Sequence, residues 1–140
     1  MMDTGTQEAL QRRLIKTILV VDDSTSVRQQ VKSALGSLDF DVVEACDGVE
    51  GAEAINRLPD LAAVICDVNM PRMGGLDMLE AVKKDPKHAE LPIVMLTTEG
   101  QAELVRRAKA AGAKGWIVKP FKPELLLAAI RKLTESKESR

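Results

Sequence analysis

The chain has 140 residues, 45% hydrophobic and 29% charged, with a net charge of −1. That is one domain's worth of chain with a globular balance, which excludes a disordered polymer and a protein driven to nucleic acid by bulk charge. No apolar run approaches the ~18 residues of a membrane span, and Met1-Met2-Asp3-Thr4-Gly5 has no signal-peptide pattern, so the cytoplasm is the expected compartment.

Residues 1–16 form a polar leader in which Leu10 and Leu14, with Glu8 and Arg12, allow a short frayed helix. Thr17–Val21 is the first apolar run. Ser24 then offers a cap to a helix with the stripe Val27, Val31, Leu35 and Leu38. Val42–Ala45 is a second strand, and Asp47 with Glu50 has capping-box spacing before Val49, Ala52 and Ile55. Leu61–Cys66 is a third strand. Gly74-Gly75 opens a loop before a helix carrying Leu76, Leu79 and Val82. Pro92–Leu96 is a fourth strand, followed by the small-residue stripe Leu104, Ala108 and Ala111, which Gly112 stops. Gly115–Val118 is a fifth strand, and Pro123 suits the first turn of a last helix with Leu126, Ile130 and Leu133 inward.

Continuous apolar runs such as Ile18-Leu19-Val20-Val21 fit strands buried on both faces. Five of them alternating with amphipathic helices predict an α/β domain, a doubly wound (βα)5 parallel sheet. Right-handed crossovers and the switch-point rule favour strand order 2-1-3-4-5. The domain is expected over residues 17–134, with a polar, frayed tail over 135–140. In that order strand 1 separates Cys46 from Cys66 by two strand spacings, roughly 9–10 Å. That is too far for a disulfide, so both read as small buried hydrophobes. From Gln101 onward ten Lys/Arg stand against four Asp/Glu. Solvated helix faces account for this, with a basic docking face for an acidic partner as the alternative.

Each strand but the second ends in a chemically pointed residue: Asp22 and Asp23 after the first, Asp67 after the third, Thr97 after the fourth, Lys119 after the fifth. In a parallel α/β sheet ligands collect at the carboxyl ends of the strands. Three carboxylates gathered there repel one another unless a hard cation neutralises them. Mg²⁺ is such a cation: it prefers oxygen donors, keeps several waters and is often held by carboxylates together with a phosphate. A carboxylate can attack phosphorus to give an acyl phosphate, which makes Asp67 the candidate nucleophile. Lys119 is a point charge suited to a phosphoryl oxygen, and Thr97 a hydroxyl donor. His88, alone in a polar loop, is expected to be solvated.

Val20-Val21-Asp22-Asp23-Ser24, Asp67-Val68-Asn69-Met70-Pro71, Gly75, Leu96-Thr97-Thr98-Glu99 and Val118-Lys119-Pro120-Phe121 together resemble the receiver domain of two-component response regulators, most closely its single-domain chemotaxis type. The resemblance runs from about Thr17 to Leu133. It implies a flavodoxin-like fold with the same 2-1-3-4-5 order, so the two expectations are one. It implies that Asp67 is the phosphoacceptor, and that Asp23, Asp67 and the Asn69 backbone carbonyl ligate Mg²⁺ while Asp22 acts through water. Thr97 and Lys119 would bind the phosphoryl group, with Trp116 as the switch aromatic. Asn69 and Glu99 would tune hydrolysis, and Lys119–Pro120 would be a cis peptide. The implied partners are a sensor histidine kinase or phosphotransfer protein and a downstream protein docking on the face of the fourth helix, fifth strand and fifth helix. No DNA-binding domain is implied. The alternative is a receiver module of a larger regulator or hybrid kinase.

Two positions depart from the family. Gly74 stands where many members carry Asp, which alters loop stiffness rather than chemistry. Trp116 stands where Tyr or Phe is usual; it is larger and has no phenol hydroxyl. The sequence resists two other readings. A haloacid-dehalogenase phosphatase carries its nucleophile in Asp-x-Asp after the first strand, where this chain reads Asp22-Asp23-Ser24. A dinucleotide binder needs glycines after that strand, and none is there. The expected role is therefore a phosphorylation-operated signalling switch, not an enzyme acting on a substrate.

Overall fold

The computed structural model describes residues 15–36 and 39–138, so the expected leader helix, Leu38 and the last two residues lie outside the described residues. Among the described residues, five strands alternate with five helices. The strands are β1 (Lys16–Val21), β2 (Phe40–Ala45), β3 (Leu61–Cys66), β4 (Ile93–Thr97) and β5 (Gly115–Val118). The helices are α1 (Thr25–Leu35), α2 (Gly48–Arg57), α3 (Gly75–Lys83), α4 (Ala102–Ala111) and α5 (Pro123–Glu138), with a 3-10 turn at Pro86–His88. All pairings are parallel, in the order β2-β1-β3-β4-β5.

Side-chain alternation along the strands divides the core in two. Leu19, Val21, Val64, Cys66, Ile93 and Met95 face α2, α3 and α4 through Ile55, Leu79 and Ala108. Ile18, Val20, Ala63, Ile65, Val94 and Leu96 face α1 and α5 through Val31, Leu35, Leu126 and Ile130. Burial on both faces is why β1 and β3 are uninterrupted apolar runs rather than alternating ones.

The caps come from local chemistry. The Ser24 hydroxyl accepts from Val27 N at 3.2 Å. Asp47 accepts from Glu50 N at 2.9 Å, and the Glu50 carboxylate reaches back to Cys46 N at 3.2 Å, one residue earlier than in an ideal capping box. Gly112 ends α4 with φ 108°, a left-handed turn that side-chain-bearing residues resist.

Five expectations shift. β1 and β2 start one and two residues earlier than predicted. β4 runs one residue later at each end, since Pro92 has no N–H for the ladder. Gly75 is the first residue of α3, not part of a loop. α5 continues to Glu138, past the expected end of the domain at residue 134. Cys46 is exposed, not buried: β2 stops at Ala45, and the thiol turns outward to donate to the Glu50 carboxylate at 3.2 Å. Cys66 is buried and free, as expected.

Candidate functional site

The registers level the strand ends. Val21 pairs with Cys66, and Thr97 with Val118. Asp22 and Asp67 therefore emerge side by side from two neighbouring buried strands, and Lys119 leaves β5 with its N–H on the Thr97 carbonyl at 2.8 Å. Asp22 and Asp67 are buried, Asp23 is exposed, and Thr97 is completely buried.

Lys119 joins the carboxylates. Its ammonium lies 2.9 Å from Asp22 Oδ2 and 3.3 Å from Asp67 Oδ2. The other oxygens are also held, Asp22 Oδ1 by Ser24 N at 2.9 Å and Asp67 Oδ1 by Val68 N at 2.7 Å. Burial pushes the Asp22 carboxyl up from its ordinary value, and the Lys119 hydrogen bond offsets this only in part. Burial pulls the Lys119 ammonium down, but its bond to Asp22 and the charges of Asp22 and Asp67 outweigh that and leave it raised. Cys66, beneath them, has its thiol pushed far up, first by burial and then by the two aspartates.

The carboxylate oxygens of Asp22, Asp23 and Asp67 lie within 4.8 Å of one another. Three carboxylates thus face the Lys119 ammonium, which leaves negative charge at the mouth. All the donors are hard oxygens, and Asp23 opens to water. This donor set fits a small hard divalent cation that keeps part of its hydration shell.

The loop after Asp67 is built around close approach. Gly75 N donates to the Val68 carbonyl at 2.8 Å. A Cβ on Gly75 would stand 1.8 Å from the Asp67 carbonyl oxygen, so only glycine fits. Arg72, at φ 64°, holds the buried Asp47 carboxylate with Nε at 2.8 Å and Nη2 at 3.3 Å. The Arg72 bond first, then the Glu50 N–H, lowers the Asp47 pKa.

Glu99 joins three of the predicted site residues. Its carboxylate accepts from Asn69 Nδ2 at 2.9 Å, its N–H donates to Thr97 Oγ1 at 3.2 Å, and its carbonyl accepts from Trp116 Nε1 at 2.8 Å. Lys119–Pro120 is cis. The structure therefore gathers every predicted site residue at one edge. His88 stands apart. It closes the 3-10 turn, half-buried, with Nε2 3.0 Å from Asn56 Oδ1, so it is less solvated than expected.

The sequence reading missed two arginines, Arg28 and Arg72. Arg28 donates to the Asp22 carbonyl at 2.6 Å and to Glu44 at 2.9 Å. Its partner Glu44 is sixteen residues away, and only the adjacency of β1 and β2 could have exposed the pairing.

A parallel sheet with an acidic trio, a lysine and a buried threonine at its carboxyl edge defines a doubly wound α/β domain with an acidic site at its strand ends. The chain belongs to the response regulator receiver domain family, which it matches over residues 18–131. Chemotaxis protein CheY1 of Helicobacter pylori is 44% identical over 110 residues, covering 78% of this chain and 89% of that protein. The chemotaxis protein CheY homolog of Campylobacter jejuni is 42% identical over the same span of 110 residues, 78% of this chain and 85% of that protein. Among solved structures, chemotaxis protein CheY4 of Vibrio cholerae superimposes with a TM-score of 0.78 at 39% identity, covering 85% of this chain and 98% of that one. The CheX–CheY–BeF3–Mg complex from Borrelia burgdorferi gives 0.78 at 26% identity, covering 88% and 97%. The chain is a CheY-like receiver, a signalling switch rather than a classical enzyme. No helix among the described residues is long and apolar enough to cross a membrane.

Proposed function

We propose that this receiver takes a phosphoryl group onto Asp67 from the phosphohistidine of a sensor kinase or phosphotransfer protein in the cytoplasm. The observation that carries this is the Lys119 ammonium, within reach of both the Asp22 and the Asp67 carboxylates. An Asp67 oxygen attacks phosphorus, the P–N bond of the donor breaks, and the imidazole keeps the electron pair. Lys119, freed from one carboxylate, neutralises a phosphoryl oxygen. Asp23, Asp67 and the Asn69 carbonyl would hold Mg²⁺ directly and Asp22 through water; when bound, the ion neutralises charge on the phosphoryl oxygens.

The signal then passes through Thr97. Its hydroxyl, which now accepts from Glu99 N, turns to donate to the phosphoryl group. Glu99 N loses that acceptor, and the Glu99 carbonyl carries the change to Trp116. The face of α4, β5 and α5, where Val118 is 49% exposed, presents the altered surface to a downstream protein. Asn69 and Glu99 bridge the mouth and set how readily water reaches the acyl phosphate.

Incubation with acetyl phosphate and Mg²⁺ tests this. Mass spectrometry should show one added phosphoryl group, labile to hydroxylamine and absent in Asp67→Asn. Undiminished label in that variant, or label on Thr97 or Ser24, overturns the assignment.

A further inference from the structure

Asp22 and Asp23 end a strand, yet their turn is fixed on more sides than the strand ladder supplies. The N–H of Asp22 donates to the Ala45 carbonyl at 3.1 Å. Its carboxylate is held by Ser24 N and Lys119. The remaining group, its carbonyl, accepts from Arg28 Nη1 at 2.6 Å. That carbonyl belongs to the peptide plane joining Asp22 to Asp23. Its direction sets where the Asp23 side chain leaves the backbone. Asp23 itself is exposed, and no neighbour among the described residues fixes its carboxylate in the way Lys119 fixes Asp22 and Asp67.

Arg28 is well suited to that task. Its side chain is 15% exposed and grows from the first turn of α1. The rigid fork of its guanidinium makes three bonds in different directions: to the Asp22 carbonyl, to Glu44 Oε1 at 2.9 Å and to Thr25 Oγ1 at 3.2 Å. Glu44 in turn lies on β2, pairs with Lys32 at 3.1 Å, and has its pKa lowered by the Lys32 and Arg28 bonds. A cation beside an acidic cluster repels a metal. A guanidinium spent on a backbone carbonyl and a carboxylate serves geometry instead.

We propose that Arg28, oriented by Glu44, is a positioning residue that sets the Asp22–Asp23 peptide so that Asp23 points into the divalent-cation site. The inference rests on the metal site of the proposed function. It makes opposite forecasts from a purely electrostatic role. If Arg28 acted only as a charge, Arg28→Lys would leave cation affinity unchanged and Arg28→Met would raise it. If it positions the turn, both lose the fork and both weaken binding, Arg28→Met despite the lost repulsion.

The experiment is calorimetric titration of the full chain with MgCl₂ at constant ionic strength, on wild type, Arg28→Lys, Arg28→Met, Glu44→Ala, Arg28→Lys/Glu44→Ala and Asp23→Asn. Urea unfolding in EDTA accompanies each to register stability separately. Arg28→Lys should raise the Mg²⁺ Kd by about tenfold, the low end of the range for residues that orient metal ligands. Glu44→Ala should raise it by a smaller factor. The double variant should match Arg28→Lys alone, because the two act through one contact. A wild-type Kd in Arg28→Lys with tighter binding in Arg28→Met overturns the inference, as does full additivity in the double variant. Asp23→Asn tests the underlying reading: Mg²⁺ binding undiminished there overturns the metal site itself, whatever Arg28 does.

Discussion

The carboxyl ends of β1 and β3 and the edge formed by β5 and α4 belong to one site, but they are built differently. β1 and β3 are buried almost throughout, and α3, which follows β3, has five buried residues. β5 is an edge strand with no fully buried residue, and α4 buries only Ala108. A surface cluster of Arg107 with Asp77 and Glu80 ties α4 to α3. Exposed pairs of that kind contribute little to stability. The carboxylates therefore stand on the part of the molecule that is costly to move, and the proposed docking surface stands on the part that is cheap to move. A receiver needs both: fixed geometry for phosphoryl transfer, and a second state within a few kcal/mol.

The largest contrast should come from two glycines. Gly75→Ala places a methyl 1.8 Å from the Asp67 carbonyl oxygen, and Met95 Cε blocks another side at 3.0 Å. Backbone must move, so the expected cost exceeds ~4 kcal/mol, among the most damaging single changes. Gly100→Ala, on the other edge, meets only Val118 Cγ2 at 3.5 Å, an ordinary contact, and should stay within ~0.5 kcal/mol. Urea unfolding of the two variants measures this, and comparable losses in both would erase the comparison.

Next in size is the response to Mg²⁺. At ten times its Kd the ion should stabilise the fold by about 1.4 kcal/mol. Asp23→Ala should remove most of that response, whereas Trp116→Phe on the cheap edge should keep it. A melting temperature indifferent to Mg²⁺ in the wild type would end the metal reading.

A smaller effect concerns Asp22, whose carboxyl has a folded-state pKa above its ordinary 3.8. The unfolded chain releases that proton first as pH rises. The folded state thus loses stability relative to the unfolded one from about the unfolded value up through the raised folded value. In EDTA, Asp22→Asn should therefore be no less stable than wild type near pH 4 and more stable above that window, by a few degrees in Tm. An advantage that shrinks as pH rises would contradict the sign.

The elements and the residues at the strand ends were legible because they are carried by short-range signals, and the strand order followed from the crossover rule and the family resemblance. Strand ends, the caps Ser24 and Asp47, and Pro123 at the start of α5 are local facts of sequence. What escaped depends on contacts across the sheet. Arg28 meets Glu44 only because β2 pairs with β1, and Arg72 meets Asp47 only because two loops converge. The exposure of Cys46 turned on the direction of its thiol just past the end of β2, where it meets the Glu50 carboxylate, and hydrophobic pattern does not carry that direction. The tie from Trp116 to Glu99 needed both the register of β4 with β5 and the direction of an indole N–H.

The smallest expected effect tests that tie. Trp116 Nε1 donates to the Glu99 carbonyl, and the ring is half-buried. Trp116→Phe removes one such bond and should cost only about 0.5–1.5 kcal/mol. Its consequence for signalling should be larger than its cost in stability. The chain has one Trp and no Tyr, so Trp116 dominates its fluorescence. Beryllofluoride with Mg²⁺, standing in for the phosphoryl group, should draw the Thr97 hydroxyl away from Glu99 N and change Trp116 emission beyond the change with Mg²⁺ alone. Thr97→Ala has no hydroxyl to move, so it should keep the first change and lose the second. Glu99→Gln keeps the backbone carbonyl and should preserve both. Should saturating beryllofluoride leave the wild-type spectrum as it is with Mg²⁺ alone, Trp116 is a packing residue, and the cheap edge of the molecule carries the signal through other contacts.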